Sequence, residues 1–447
     1  MTNRRTFLKR AAVAGLAATV LPLAGCASAP RLMTAGTRMR HACVGVGGMG
    51  GADLNHFGAH PDVDIVALCD VDSRTLAKAA AQFPTARVYA DWRSLLDAER
   101  GQLDSLNVST PDHMHAPIAL AAMRQRLHVY CQKPLSHTVR EARLMAKAAR
   151  HYRVVTQMGI QNHSGVNFRR AHEILKRGDT GPIHEVHVWT DRPAGWWAQG
   201  QERPTGSDAI PAELDWNGWL GVAPRRPYKE GKYHAFSWRG VKDFGTGAQG
   251  DMGCHLMDPV PWFLGLTTPL SIRSEGPAPN AESFPEWSEV HYEFAAGNAA
   301  CHPDGVHVVW HDGGRKPDAL LAEWGAGDAV YANAALLVGD EAALIASPYD
   351  DARLLTRQGE RPLQLPDLPE IHHWHNWVEA CFGREAPRTP FAYSAPLTET
   401  ALLGNIALEY PGETLRWHAE SMRFLDKPEA DALLHKRYRR GWELPRI

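Results

Sequence analysis

Between Arg40 and Met158, short apolar runs alternate with stretches whose apolar residues recur at helical spacing. The runs 40–46, 63–68, 87–89, 105–109, 128–130 and 154–158 have the length of strands. The stretches 52–60, 73–83, 91–99, 116–124 and 139–151 have the length and period of helices. This alternation predicts a parallel, doubly wound α/β sheet. After Gly159 the rhythm changes: strand-like segments 184–189, 289–294 and 307–311 stand between long loops, and helices 373–382 and 397–408 come late. That pattern fits an antiparallel sheet with helices on one face. The expected organisation is a parallel-sheet domain over 39–158 and an α+β domain over 159–447.

The first strand runs into Gly45-Val46-Gly47-Gly48-Met49-Gly50, a G-x-G-x-x-G turn between strand and helix. Gly45 allows the tight turn, Gly47 lets backbone approach a pyrophosphate, and Gly50 lets helix pack on strand. The helix N-terminus offers free N–H groups to phosphate oxygens. The next strand ends at Asp70, twenty residues after Gly50, where an acid accepts hydrogen bonds from ribose hydroxyls. A carboxylate there repels a 2′-phosphate, so NAD is expected over NADP; Asp72 is the alternative acid. A Rossmann domain follows, and two later strands end in polar loops at the ligand-binding edge, Ser109 to His115 and Cys131 to Pro134.

The balance of 48 basic and 50 acidic residues gives a formal charge of −2, which gives no reason to expect nucleic acid as a partner. Fifteen Trp is high for this length; they serve either a large core or platforms for sugar rings. Trp196 and Trp197 are read as packing residues. No C-x-x-C pair occurs, and Cys43, Cys69 and Cys131 read as buried thiols. His372, His373 and His375 lack an acid or cysteine at ligand spacing, so no metal site is expected.

Arg4-Arg5 with Phe7-Leu8-Lys9, and then the apolar run Ala11 to Leu23, has the layout of an export signal. The paired arginines resemble a twin-arginine signal, which carries folded proteins. Leu23-Ala24-Gly25-Cys26 resembles a lipobox, making Cys26 a lipid-anchor candidate, and Ala27-Ser28-Ala29 offers an ordinary cleavage site instead. A signal over 1–30 and a linker over 31–38 place the mature chain in the periplasm, either free or as a membrane-anchored lipoprotein.

Together these pieces resemble the Gfo/Idh/MocA family of glucose–fructose oxidoreductase and inositol dehydrogenase, over residues 40–447. Its T-P-x-x-x-H loop is matched by Thr110, Pro111 and His115, its E-K-P loop by Gln132-Lys133-Pro134, and its G-D-x-G-x-H segment by Gly250 to His255. Leu214-Asp215-Trp216 and Leu397-Thr398-Glu399 resemble a bacterial branch of it. The resemblance implies that Lys133, Asp251 and His255 form the catalytic group, with Gly45, Gly47, Gly48, Met49, Gly50, Asp70, Thr110, Pro111, His115, Gln132 and Lys133 toward the cofactor. Asp251 and His255 are four apart and share a helix face. His255 suits a general base and Lys133 suits stabilisation of a developing oxyanion. Gln132 departs from the family glutamate and leaves Lys133 short of one anion. His163, Tyr233, Trp238, Arg239, Asp243 and Asp258 cluster as substrate contacts.

The expectation is therefore an exported NAD oxidoreductase acting on CH–OH groups of a sugar or polyol. Its cofactor is held tightly and recycled in place. The resemblance also implies a homo-oligomer paired through the open sheet face. A redox-neutral glycosidase or epimerase is the alternative within the fold, and a catalytically weak binding protein, supported by Gln132 alone, is the other.

Overall fold

In the computed structural model, residues 32–327 and 330–445 are described. The signal, the lipobox and Cys26 lie outside them. Six strands, β1 (Met39–Val44), β2 (Val63–Cys69), β3 (Arg87–Tyr89), β4 (Ser105–Val108), β5 (His128–Gln132) and β6 (Thr156–Gly159), pair in parallel in the order β3-β2-β1-β4-β5-β6. β4 and β5 are buried along their whole length, as strands covered on both faces by helices must be. The strand order reverses between β1 and β4, and a crevice opens there at the carboxyl ends.

Ten further strands form the second sheet: β7 (Ile183–Trp189), β8 (Ser271–Glu275), β9 (Glu289–Phe294), β10 (Val306–His311), β11 (Ala334–Gly339), β12 (Ala343–Ala346), β13 (Arg353–Thr356), β14 (Gly359–Arg361), β15 (Thr414–His418) and β16 (Arg423–Phe424). Their order is β14-β13-β12-β11-β7-β10-β9-β8-β15-β16. β7 and β10 run parallel; the other paired neighbours are antiparallel. The α/β-then-mixed-sheet architecture matches the expected fold class.

The late helix starts at Phe391, six residues before the expected Leu397, and runs to Ala407 through Pro396. An interior proline removes a helix hydrogen bond. Fourteen buried residues, from Phe391 to Ala407, outweigh that loss. This helix is the keystone between the two sheets. Thr398 Oγ1 accepts from the Leu135 N–H at 3.3 Å, Glu399 takes Arg143 in a two-point ion pair, and Asn405 donates to Thr246 O at 2.7 Å. Gly404 is where Gln249 and Tyr292 press against its backbone, leaving no room for a Cβ.

The outer face of the second sheet divides in two. Trp189, Leu336, Val338 and Ile345 form a small core with Leu321 and Trp324. Beside it, β7, β10 and β9 carry a closed ring of imidazoles and carboxylates. Glu185 faces His187 Nε2 at 2.9 Å, His187 Nδ1 faces His311 Nε2 at 2.9 Å, and His311 Nδ1 faces Glu289 at 3.0 Å. Glu289 faces His291 Nε2 at 3.1 Å, His291 Nδ1 faces His307 Nε2 at 3.2 Å, and His307 Nδ1 returns to Glu185 at 3.7 Å. His187 Nε2 is hydrogen-bonded to Glu185, the other carboxylate contacts are ion-pair contacts, and each His–His contact needs one proton between its two nitrogens.

The bond to Glu185 raises His307, while hydrogen bonds from His187 and His307 hold Glu185 well below the usual carboxylate range. A raised histidine stabilises the fold below its unfolded value near 6.5, and the contribution fades as pH rises through the folded value. His307→Gln is therefore expected to lower unfolding free energy by about 1 kcal/mol at pH 5.5 and by less at pH 9, as measured by urea titration.

Candidate active site

One cavity of about 560 Å³ runs from the glycine turn to Asp251 and His255. At its first end, Gly45 has φ +80°, and a Cβ there would meet Ser109 O at 2.5 Å. The helix Met49–Gly58 has no side-chain cap and no acid in its first turn. It begins three residues before the expected Ala52, straight from the turn. Among the described residues, no acceptor faces the backbone N–H of Gly48 or Met49. Uncapped donors at a helix start fit a pyrophosphate. Gly50 does not line the cavity; its Cα lies against Gly45 O, as close strand–helix packing requires.

Asp70 lines the cavity, with Oδ2 accepting from Val46 N at 3.0 Å and Oδ1 from Asp72 N at 2.9 Å. Lone pairs remain on both oxygens for ribose hydroxyls. Asp72, the alternative, is spent: it caps the helix Ser73–Gln82 and pairs with Arg74. These features fit a dinucleotide with its adenosine half at this end.

At the other end stand Lys133, Asp251 and His255, all on the cavity wall. Lys133 Nζ donates to Asp251 Oδ1 at 2.7 Å and to Asp251 O at 2.8 Å; Arg239 Nε donates to the same Oδ1 at 3.2 Å. Burial pushes Asp251 up, but the Lys133 and Arg239 charges outweigh it and hold the carboxyl at about 2. The helix Gly247–Leu256 presents Asp251 and His255 on one face, as their spacing predicts. Burial, helped by Lys133, lowers His255 to about 3. It is neutral at working pH, and its buried Nδ1 has no partner.

Thr110, Pro111 and Trp238 also line the cavity, whereas His115, His163, Tyr233, Asp243 and Asp258 do not. His115 is buried between Pro134 O and Thr110 O, each 2.8 Å from a ring nitrogen, so it positions both loops from behind. Tyr233 packs in an aromatic cluster with Trp216 and Phe244 and donates to Glu282 at 3.2 Å. Asp243 is held by Arg226 beside Glu282. His163 and Asp258 pair at 2.9 Å, with Tyr393 on the other carboxylate oxygen and Trp262 stacked on the imidazole. These four residues are held in contacts behind the cavity wall and do not line it. His372 and His375 stack on each other, and buried His373 bonds Ser164 and Met158 O.

The wall includes residues that sequence reasoning missed. Trp196 and Trp197 face the cavity and are not merely packing residues, and Arg192, His234 and Phe236 join them. They come from the long excursion after β7, which has no periodicity to place it. Asp112 is buried beside Lys133 and Asp251, accepts from Thr246 Oγ1 at 2.7 Å, and is raised by burial to about 7. Its position within the T-P-x-x-x-H loop was the available signal.

Gln132 lines the cavity and also has a local partner. Its amide donates to both oxygens of buried Asp53, at 2.8 and 2.9 Å, with Ser109 and Trp374 completing the shell. Burial raises Asp53 to about 6. A glutamate at 132 would set carboxylate against carboxylate. The departure from the family pattern thus has a packing cause.

Residues 39–160 match the profile of an oxidoreductase family's NAD-binding Rossmann fold, and residues 187–346 match an oxidoreductase family's C-terminal alpha/beta domain. Together they cover more than half of the chain. Levoglucosan dehydrogenase of Pseudarthrobacter phenanthrenivorans is 25% identical over 44% of this chain and 42% of that protein. A glycosyl hydrolase family 109 protein of Shewanella pealeana is 30% identical over 44% of this chain and 50% of that protein. The chain thus spans half or less of the length of these two curated relatives. The crystal structure of the WlbA dehydrogenase of Chromobacterium violaceum, in complex with NADH and UDP-GlcNAcA, shares the fold, with TM-score 0.61 at 14% identity over 88% of this chain and 99% of that one.

Gln132→Glu is expected to destabilise the protein by about 2 kcal/mol, and adding Asp53→Asn should recover most of it in a double-mutant cycle read by thermal unfolding. Asp112 has its folded value above the unfolded 3.8, so its burial costs stability progressively as pH rises from about 4 to 7. Asp112→Asn removes that cost and should exceed wild type by roughly 2 kcal/mol at pH 8, with little difference at pH 4.

Proposed function

The chain belongs to the Gfo/Idh/MocA oxidoreductase family, and from that premise we propose that it oxidises a hydroxyl-bearing carbon of a sugar or polyol outside the cytoplasm, with NAD held in the cavity and recycled there. One observation carries this reading: the uncapped glycine turn and the Lys133–Asp251–His255 group line the same cavity. Bound NAD supplies the hydride acceptor. Neutral His255 takes the hydroxyl proton, which Asp251 beside it stabilises. Lys133 donates to the oxygen as negative charge develops. Asp251 fixes the ammonium through two contacts. Asp70 favours NAD over NADP, because a 2′-phosphate would meet a partly buried carboxylate.

The export reading rests on Arg4-Arg5 and Cys26, and we place subunit pairing on the open sheet face. Free dinucleotide is scarce outside the cytoplasm, which favours redox-neutral turnover with two sugars. A redox-neutral glycosidase is the second reading, favoured by the Shewanella relative's name. The binding-protein reading loses its one support, since Gln132 is explained by Asp53.

Protein purified without added cofactor should release NAD on denaturation. A sugar should raise its absorbance near 340 nm and a second compound should lower it again. Protein that neither binds NAD nor answers any sugar would contradict the proposal. Lys133→Ala and His255→Ala should each lower kcat/KM by about 10²–10⁴-fold while NAD stays bound.

A further inference from the structure

We infer that the sugar is anionic, with its carboxylate or phosphoryl oxygens seated on Arg192; the inference rests on the sugar-oxidoreductase reading above. Three cations line the catalytic end, Lys133, Arg192 and Arg239. Asp251 serves two of them at once. Asp191 pairs with Arg192, and Asp112 keeps its proton up to about pH 7. The other wall carboxylates belong to the cofactor end: Asp70 is tied to Val46, Asp91 pairs with Arg93, and Asp215 accepts from the Gly218 N–H. Three cations against two carboxylates leave one positive charge without a partner in a half-buried cavity, where charge is weakly screened.

Lys133 and Arg239 are drawn onto Asp251, whereas Arg192 stands apart from it and has donors to spare. Only its Nη1 has acceptors, Asp191 and, at 3.4 Å, Asn333. Among the described residues, nothing accepts from its Nε or Nη2. The side chain is 13% exposed, and the guanidinium lies 3.9 Å over the Trp196 ring. Stacking and the Asp191 pair hold the guanidinium on the cavity wall with Nε and Nη2 unused, a fork that can take paired anionic oxygens. The Arg192 charge reaches His255, so an anion held there stays within a sugar's length of the catalytic group. Trp197, Trp238 and Phe236 supply aromatic wall for the ring's C–H face.

The test uses NAD-loaded protein and matched ligands: glucose, glucuronate and glucose 6-phosphate, with the galacto and manno counterparts. Calorimetry should show at least one acid binding tenfold or more tightly than its neutral partner, with the advantage shrinking in high salt. Arg192→Gln should bring the acid-to-neutral ratio to about one. Arg192→Lys, which keeps charge and loses the fork, should restore part of it. Preference for uronates or for phosphates tells the two anion sources apart. Neutral sugars reducing NAD with no acid preferred in any series would overturn this inference and leave the proposed function standing, as would a preference that survives Arg192→Gln. No sugar of either kind binding or reducing NAD would overturn both.

Discussion

Lys133 and Asp251 are 118 residues apart, yet their ion pair closes at 2.7 Å with both side chains largely buried. Burying two charges is favourable only when geometry is held and the remaining donors are satisfied. Much of the architecture serves that condition. Lys133 leaves the end of β5; Asp251 rides a helix that packs against the helix Phe391–Ala407. The helix Phe391–Ala407 clamps both, through Thr398 on the loop after Lys133 and Asn405 on the backbone before Asp251. Gly404 lets that clamp close, since any side chain there would push Gln249 and Tyr292 away.

The same pair organises the chemistry. Asp251 is held ionised by two cations, so its charge stands beside His255 and favours a proton arriving there. Lys133 is oriented by two oxygens of one residue and retains a third N–H for a ligand oxygen. Behind them, His115 and the Gln132–Asp53 pair support the two loops without lining up as reactants.

The parallel sheet was legible because its strands are short apolar runs between amphipathic helices, a pattern set locally. Gly45, Gly47 and Asp70 were legible because their roles depend on backbone freedom and spacing. Lys133, Asp251 and His255 were reached through motif resemblance, and the fold brings them together. Tyr233, Asp243 and Asp258 lie near Asp251 and His255 in sequence yet stay off the cavity wall, because sequence neighbours can face opposite sides of a helix or loop, and His163 is held by Asp258 behind it. Arg192, Trp196 and Trp197 were missed as cavity residues because the excursion that carries them has no repeat. The Asp53–Gln132 pair could not be read either, since it joins a helix and a strand 79 residues apart.

The central claim is that one cavity unites the dinucleotide turn with the Lys133–Asp251–His255 group. An experimental structure of the protein with NAD and a bound sugar tests it most directly. The account predicts the ribose of the adenosine half on Asp70, the pyrophosphate on the N–H groups of Gly48 and Met49, and the nicotinamide within about 3.5 Å of a sugar carbon whose hydroxyl touches Lys133 and His255. A dinucleotide bound elsewhere, or one whose nicotinamide points away from that group, would contradict it.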